Sequence, residues 1–208
     1  FTTPMTLGGG TGTARPIIEF DSVCAQMGPM GCVTNTASTW TVSSAITLLG
    51  DAYVNAGTSS TVNITGALNG PGFALSMDPA SYGTVAINPS SNTSSTVVGN
   101  QTVTKATVTI ADSQPSTVLS VLNNYVTALD GTRGNVTVAP GGTLMGTGTA
   151  GTLNVMTGGT VAPGHSPGCL NSGDLAIGGN FDVELGGTDP CTGYDQIKVT
   201  GTVDVTGG

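Results

Sequence analysis

The chain has 208 residues, enough for one domain with a substantial core. Only 8% of them are charged and 4% aromatic, against about 25% charged in ordinary domains, while glycine supplies 33 and threonine slightly more. The only basic residues are Arg15, Lys105, Arg133 and Lys198, and the net charge is −8; phosphate backbones and anionic membrane surfaces need clustered cations, so nucleic-acid and membrane-surface binding are excluded.

Residues 1–39 show no repeat. The chain begins at Phe1 with no signal-type apolar region, which marks it as a processed product or an excised segment, and no apolar run reaches the length of a membrane span. The Gly-rich "LGGGTGTA" is followed by "PIIEF", which has the composition of a strand. "GGGTGTA" (8–14) is not a nucleotide loop, because its glycine spacing is wrong and Pro16 follows where a helix should start. A non-repeating start of this kind serves either as a cap on a repetitive β structure or as an arm that adds a strand to a neighbouring subunit. Cys24 and Cys32 flank "AQMGPMG", a Gly- and Pro-containing stretch expected to be a loop without strands. Its two thioethers have no histidine beside them, so no copper site is expected.

Residues 40–208 read as short alternating runs broken by Gly, Asn and Thr, such as "GTVAIN", "TVTKATVTIA" and "GTLNVMTGG". Period two puts Val, Ile and Leu on one face and Thr, Ser or Asn on the other. The pairs Val85/Ile87, Leu153/Val155 and Val203/Val205 are expected to point inward. "GGTLMG" (141–146), "GGTVAPG" (158–164) and "GGTDPC" (186–191) share a Gly-Gly-Thr step. Self-similarity at roughly twenty residues predicts a β-solenoid, whose coils lay short strands in parallel on the coils below. One segment departs: "PSTVLSVLNNYVTALDG" places Val118, Leu122, Tyr125, Val126 and Leu129 on one helical face, and predicts a short flanking helix near 116–130.

"GHSPG" (164–168) spells the G-x-S-x-G of serine hydrolases and contains the only histidine. A serine nucleophile needs a base brought from elsewhere, and His165 is adjacent to Ser166 inside the motif, so the stretch reads as a corner between strands. Asp182 and Glu184 are expected on the outer face of one strand, with Asp174, Asp189, Asp195 and Asp204 in the same third of the chain. A glycosidase would need two such carboxyls across a sugar cleft lined by aromatics, and only Phe181 and Tyr194 are near in sequence; a solvated acidic face is the expectation. No metal or cofactor site is expected, the repeat of calcium β-rolls being absent. Four N-x-Ser/Thr sequons fall at Asn63, Asn92, Asn100 and Asn135. The four cysteines form no C-x-x-C pair, and an even count points to two disulfides in an oxidising, extracellular compartment. Three connectivities are open; Cys24–Cys32 with Cys169–Cys191 is favoured, because the latter pair is about one coil apart and adjacent coils at about 4.8 Å suit a disulfide.

The stretch 141–208 joins "GGTL", "GTG", the corner "APGHSPG" (Ala162 to Gly168), "ELGG" (Glu184 to Gly187) and "YDQ" (Tyr194 to Gln196) leading into a Val-rich strand. This succession resembles the passenger-associated β-strand repeat of bacterial autotransporters and related surface proteins, and "TWTVSSAITLLGDAYVNAGTSSTVNITGALNGPGFALSM" is similar to less specific repeats of the same families. The resemblance implies a right-handed parallel β-helix, exported and displayed outside the cell as part of an adhesin or fibre. It also implies that the GHSPG corner has no catalytic role. The cysteines depart from the pattern, and self-transport is not carried over, since these residues include no membrane barrel. The expectation is therefore a non-enzymatic structural protein whose partners are a host-cell or glycan receptor, or further copies of itself. Self-assembly is suggested by "GTVDVTGG", which stops in mid-repeat. The remaining alternative, a glycan-active β-helix enzyme, rests on Asp182 and Glu184 alone.

Overall fold

A computed structural model describes residues 5–7, 17–20, 23–28, 31–36, 38–77, 79, 82–87, 95–98 and 106–207. Among them the fold is all-β, without a helix, and is dominated by two large parallel sheets. An eight-stranded sheet is built from Thr39–Val42, Thr61–Ile64, Thr84–Ile87, Ala106–Ile110, Tyr125–Leu129, Thr143–Gly146, Thr160–Pro163 and Asn180–Phe181, stacked in that order. The chain leaves this sheet after each strand to add one to an eleven-stranded sheet, whose spine includes Ala52–Ala56, Ala74–Met77, Val118–Val121, Thr132–Val138, Thr149–Val155 and Cys169–Ile177. From Thr39 onward neighbouring strands are thus one circuit of chain apart, and that circuit varies from 17 residues (Asn135 to Thr152) to 28 (Asp174 to Thr202). In the early circuits a third face forms from Met5–Leu7, Ile46–Leu48 and Leu68–Asn69. This arrangement is compatible with a β-solenoid.

Alternation fixes what lies between the sheets. In the eight-stranded sheet Val62, Val85 and Val108 stack in register, as do Ile64, Ile87 and Ile110, and all six are buried. Leu119, Val136, Leu153 and Leu175 form the facing column of the other sheet. These β-branched and Leu side chains suit a pleated, one-face-buried surface, and stacking identical types keeps each layer's volume constant. Val203 continues the Leu175 column by register, yet it is 59% exposed because no described strand lies over it.

The outward columns are different in kind. Thr39, Thr61, Thr84 and Thr107 stand one above the other, followed by Val126, Thr143, Thr160 and Asn180. The Gly-Gly-Thr steps at 141–143 and 158–160 occupy equivalent turns: Gly141 and Gly158 both have positive φ (76° and 83°), and the Gly141 N–H donates to the Gly158 carbonyl at 2.7 Å. The third member of that series is Gly178-Gly179-Asn180, since Asn180 pairs with Thr160. The Gly-Gly-Thr at 186–188 lies outside the ladder, in a segment running from 182 to 195.

Two expectations are corrected. The helix near 116–130 is replaced by strands Val118–Val121 and Tyr125–Leu129 joined through a turn at Asn124, whose φ is 67°. Of the supposed helical face only Tyr125 and Leu129 are buried, whereas Val118 is exposed. The β-branched Val118, Val121, Val126 and Thr127 disfavour a helix, and both strands find in-register neighbours (Leu119 with Val136, Val126 with Thr107). The stretch between Cys24 and Cys32 is likewise not strand-free, because Val23–Gly28 pairs antiparallel with Gly31–Thr36. Val23, Val33, Thr34 and Thr36 supply the strand-forming residues of that hairpin. Ile17–Phe20, the strand foreseen in "PIIEF", pairs parallel with Ala52–Ala56.

Candidate functional site

Of the residues singled out in the sequence, His165, Ser166, Glu184 and Asp195 meet at the corner after Thr160–Pro163. Gly164 (φ 86°) and Ser166 (φ 82°) turn the chain sharply, with a cis bond between Ser166 and Pro167. A Cβ on Gly164 would meet the backbone of Gly168, so the corner closes on itself only with glycine at both ends. The turn sends His165 and Ser166 to different partners. His165 Nε2 lies 2.6 Å from Asp130 Oδ1, and the Asp130 carboxylate also accepts from the Thr147 N–H at 3.1 Å. The Ser166 hydroxyl lies 2.8 and 2.7 Å from the two oxygens of Glu184. The imidazole therefore serves a carboxylate one side of the corner, and the hydroxyl serves another carboxylate on the other side, in place of the Ser–His contact that nucleophile activation requires.

Asp195 holds the corner together. It is buried; Oδ1 accepts from the Gly168 N–H at 2.7 Å and Oδ2 from the Glu184 N–H at 2.9 Å. One carboxylate thus ties the corner, the 182–195 segment and the start of strand Gln196–Val199. This accounts physically for the "YDQ" motif: the aspartate is a buried clamp, satisfied by backbone donors. Between these parts lies a cleft of about 270 Å³ lined by Met145, Ala162, Ser166, Asp182, Glu184 and Asp195 among others. No aromatic ring lines it.

Asp182 and Glu184 do not share a strand face as expected. The strand ends at Phe181, and the Asp195 bond to the Glu184 N–H draws the chain away from the ladder. Both are exposed, Phe181 is 43% exposed and Leu185 is 81% exposed. The other carboxylates lie apart from this corner. Asp174 accepts from the Thr202 N–H at 2.7 Å and its hydroxyl at 2.8 Å, and the backbone bond, then the hydroxyl, hold its pKa below the usual 3.8. Asp204 is lowered in the same direction by the Thr206 hydroxyl and then its N–H. Asp189 lies exposed in the 182–195 segment, where its carbonyl accepts from Gly193 and Tyr194. Among the described residues no group of three or more His, Cys, Asp or Glu could hold a metal ion.

Cys169 and Cys191 are bonded, with Cα atoms 4.8 Å apart. The register partner of Cys169 is Gln196, so the bond reaches into the 182–195 segment instead of linking paired strands. Cys24 and Cys32 lie outside the residues whose side chains are described, as do the sequons at Asn92 and Asn100 and the segments 8–14 and 27–31. Asn135 is exposed and accepts from the Thr152 hydroxyl at 2.9 Å; Asn63 stands outward on its strand.

Sequence reasoning missed a second polar centre, inside the core. Arg133 is 1% exposed, and its Nη2 lies 2.6 Å from Asp112 Oδ1; Nη1 donates to the carbonyls of Asp112 at 3.0 Å and Thr132 at 2.8 Å. Gln114 donates to the other Asp112 oxygen at 2.7 Å, and the Thr117 hydroxyl donates to Gln114 at 3.1 Å. The available signal was the arginine itself, an isolated cation at an inward position of a strand in a chain with few cations.

No helix among the described residues is long and apolar enough to cross a membrane, which says nothing of a β-barrel. The defined class is an all-β protein of stacked parallel strands with a disulfide-clamped corner. Comparison with family models, with curated proteins and with solved structures returns no match.

Proposed function

We propose that the chain is a right-handed parallel β-helix serving as a non-enzymatic, extracellular structural segment of a bacterial surface adhesin or fibre. The observation that carries this reading is the register: strand after strand pairs in parallel with the strand one circuit earlier, in two sheets facing a common apolar interior. Such a stack is held by backbone hydrogen bonds and apolar ladders along its whole length, which makes it a stiff spacer. The Cys169–Cys191 bond agrees with an oxidising compartment. The corner supports the same reading, because Ser166, His165 and Asp195 are occupied in fastening the chain. The resemblance to autotransporter passenger repeats supplies the surface setting.

The test is display. Fused between a secretion leader and an outer-membrane anchor in a laboratory bacterium, the chain should reach the surface folded, with its disulfide formed and resistant to added protease. Retention inside the envelope, or rapid surface cleavage throughout the strands, would sink the proposal. Release of sugar from a panel of polysaccharides would move the glycan-enzyme reading ahead of it. Regular filaments of the purified, unreduced chain in the electron microscope would put the alternative, self-assembly by strand addition, first.

A further inference from the structure

One peptide bond in the 182–195 segment is held in a way that the fold itself does not require. It joins Asp189 to Pro190, both exposed to water. The Asp189 carbonyl oxygen accepts two backbone N–H groups, from Gly193 at 2.7 Å and from Tyr194 at 3.2 Å. Both donors follow the turn at Cys191 (φ 67°), whose own N–H donates to the Tyr194 carbonyl at 2.9 Å. Only glycine at 193 allows this approach. A Cβ there would sit 3.0 Å from the Asp189 oxygen and 2.9 Å from the Gly187 carbonyl carbon.

Paired N–H groups aimed at one carbonyl oxygen stabilise the negative charge which that oxygen acquires when its carbon is attacked. The attacking group is built in. The Asp189 carboxyl is tethered to the same residue and closes a succinic-anhydride ring on its own carbonyl carbon, so no encounter has to be arranged. Proline is the leaving group, and its nitrogen carries no hydrogen. The competing closure, in which the following N–H attacks the aspartate side chain, is therefore barred. Nucleophile, oxyanion donors and leaving group thus meet at a single bond that water can reach.

We propose that Asp189–Pro190 is a self-cleavage site, at which the chain cuts its own backbone and stays joined through Cys169–Cys191. The Asp189 carboxyl oxygen bonds to the Asp189 carbonyl carbon, the bond from that carbon to the Pro190 nitrogen breaks, and the carboxyl proton passes to the nitrogen. Water then opens the cyclic anhydride, leaving a C-terminal aspartate and a free Pro190 amine. One water is consumed, and nothing is oxidised or reduced. Cys169 lies before the cut and Cys191 after it, so the disulfide holds the two pieces together. The strands Gln196–Val199 and Val203–Asp204 also stay paired with Cys169–Ile177. A cut chain is therefore held whole in an oxidising compartment and comes apart only under reduction. The inference rests on this turn and does not depend on the adhesin reading.

The experiment is mass spectrometry of the full, unreduced chain after incubation for days in mildly acidic buffer. The unreduced mass should rise by one water, and reduction should then release two pieces, 1–189 and 190–208. The other Asp–Pro bond of the sequence, Asp78–Pro79, is the internal reference and should be cut at least about tenfold more slowly. Unfolding the disulfide-bonded chain in urea should slow the cut at 189–190 by a similar factor. Asp189→Ala should abolish cleavage there, and Gly193→Ala, which pushes the carbonyl off its donors, should slow it at least about tenfold. Far-UV circular dichroism and the unreduced mass identify the variants that are folded and disulfide-bonded, and the comparison of folded with unfolded wild type is decisive without them. A wild-type chain that stays uncut overturns the proposal. Equal cutting of the two Asp–Pro bonds, or of folded and unfolded chain, overturns it too, since that is ordinary acid hydrolysis. Wild-type speed in folded Gly193→Ala does the same. A cut that persists in Asp189→Ala also overturns it and assigns the break to a contaminating protease.

Discussion

Removing Asp112 should unfold the centre of this protein more readily than any single surface change. Its side chain and that of Arg133 are 0% and 1% exposed and meet at 2.6 Å, so replacing Asp112 by alanine leaves a guanidinium buried with only the carbonyls of Ala-substituted 112 and of Thr132 as partners. Arginine does not deprotonate to escape, and breaking a buried pair in this way costs about 3–5 kcal/mol. Gln114 also loses its acceptor on the same carboxylate, which places the expected cost in the upper half of that range. For a chain of this length the loss corresponds to a fall in Tm of roughly 10 °C. The double variant Asp112→Leu with Arg133→Met removes both charges, and should recover most of the loss or exceed wild type. Urea denaturation of the three proteins, with the disulfide intact, measures this. A cost for Asp112→Ala below about 1 kcal/mol would refute the reasoning, because that is the size of an exposed pair and would mean that water reaches the guanidinium.

Other expectations test the remaining parts. Reduction of Cys169–Cys191, or Cys191→Ser, should lower stability by about 3 kcal/mol for a separation of 22 residues, with amide exchange rising first in the 182–195 segment. Ile110→Ala, in the middle of a buried ladder, should cost about 2–5 kcal/mol in the same denaturation assay. Gly131→Ala should also destabilise, since its Cβ would meet the Asp112 carbonyl, and a neutral result would show that the stacked turns have slack. Asp174 and Asp204 have folded pKa values below their unfolded ones, so the stability they add is complete above the usual 3.8 and disappears as pH falls through the lowered folded values. Asp174→Asn should therefore lower the neutral plateau of a stability–pH curve slightly and flatten part of its acid limb, meeting wild type at the acid end.

Much of the fold was legible because a strand's period is short and its inner face tolerates only apolar residues. Val85/Ile87 and Leu153/Val155 announced their orientation in five letters each, and the structure buries all four. The helix near 116–130 misled because a helical face can be assembled by chance from any dense set of Val and Leu. What decided against it was pairing with Ala106–Ile110 and Thr132–Val138, information that the segment itself does not hold. The repeat was misaligned for a related reason. The third Gly-Gly-Thr, at 186–188, matches in letters, but the ladder selects Gly178-Gly179-Asn180, where asparagine takes the threonine position. Spelling follows composition, and in a chain this rich in Gly and Thr it recurs by accident; register follows hydrogen bonds.

The polar centres follow the same logic. His165 and Ser166 are neighbours in the chain, and the corner parts them, giving the imidazole to Asp130 and the hydroxyl to Glu184. Their partners come from 35 residues before and 18 after, distances that only a stack of circuits brings together. Asp195 was grouped with the solvated carboxylates because its charge is all that sequence displays, yet it is the one that burial and two backbone donors make structural. Arg133 escaped notice by being counted among the cations. Among the described residues, where most buried side chains are apolar, the inward arginine dictates which partner the neighbouring circuit must supply, and Asp112 supplies it. The buried pair can therefore fix which circuit lies against which, where Val and Ile ladders alone would tolerate a slip. Moving the pair together to the next inward position should then shift the register locally, whereas moving one partner alone should only destabilise.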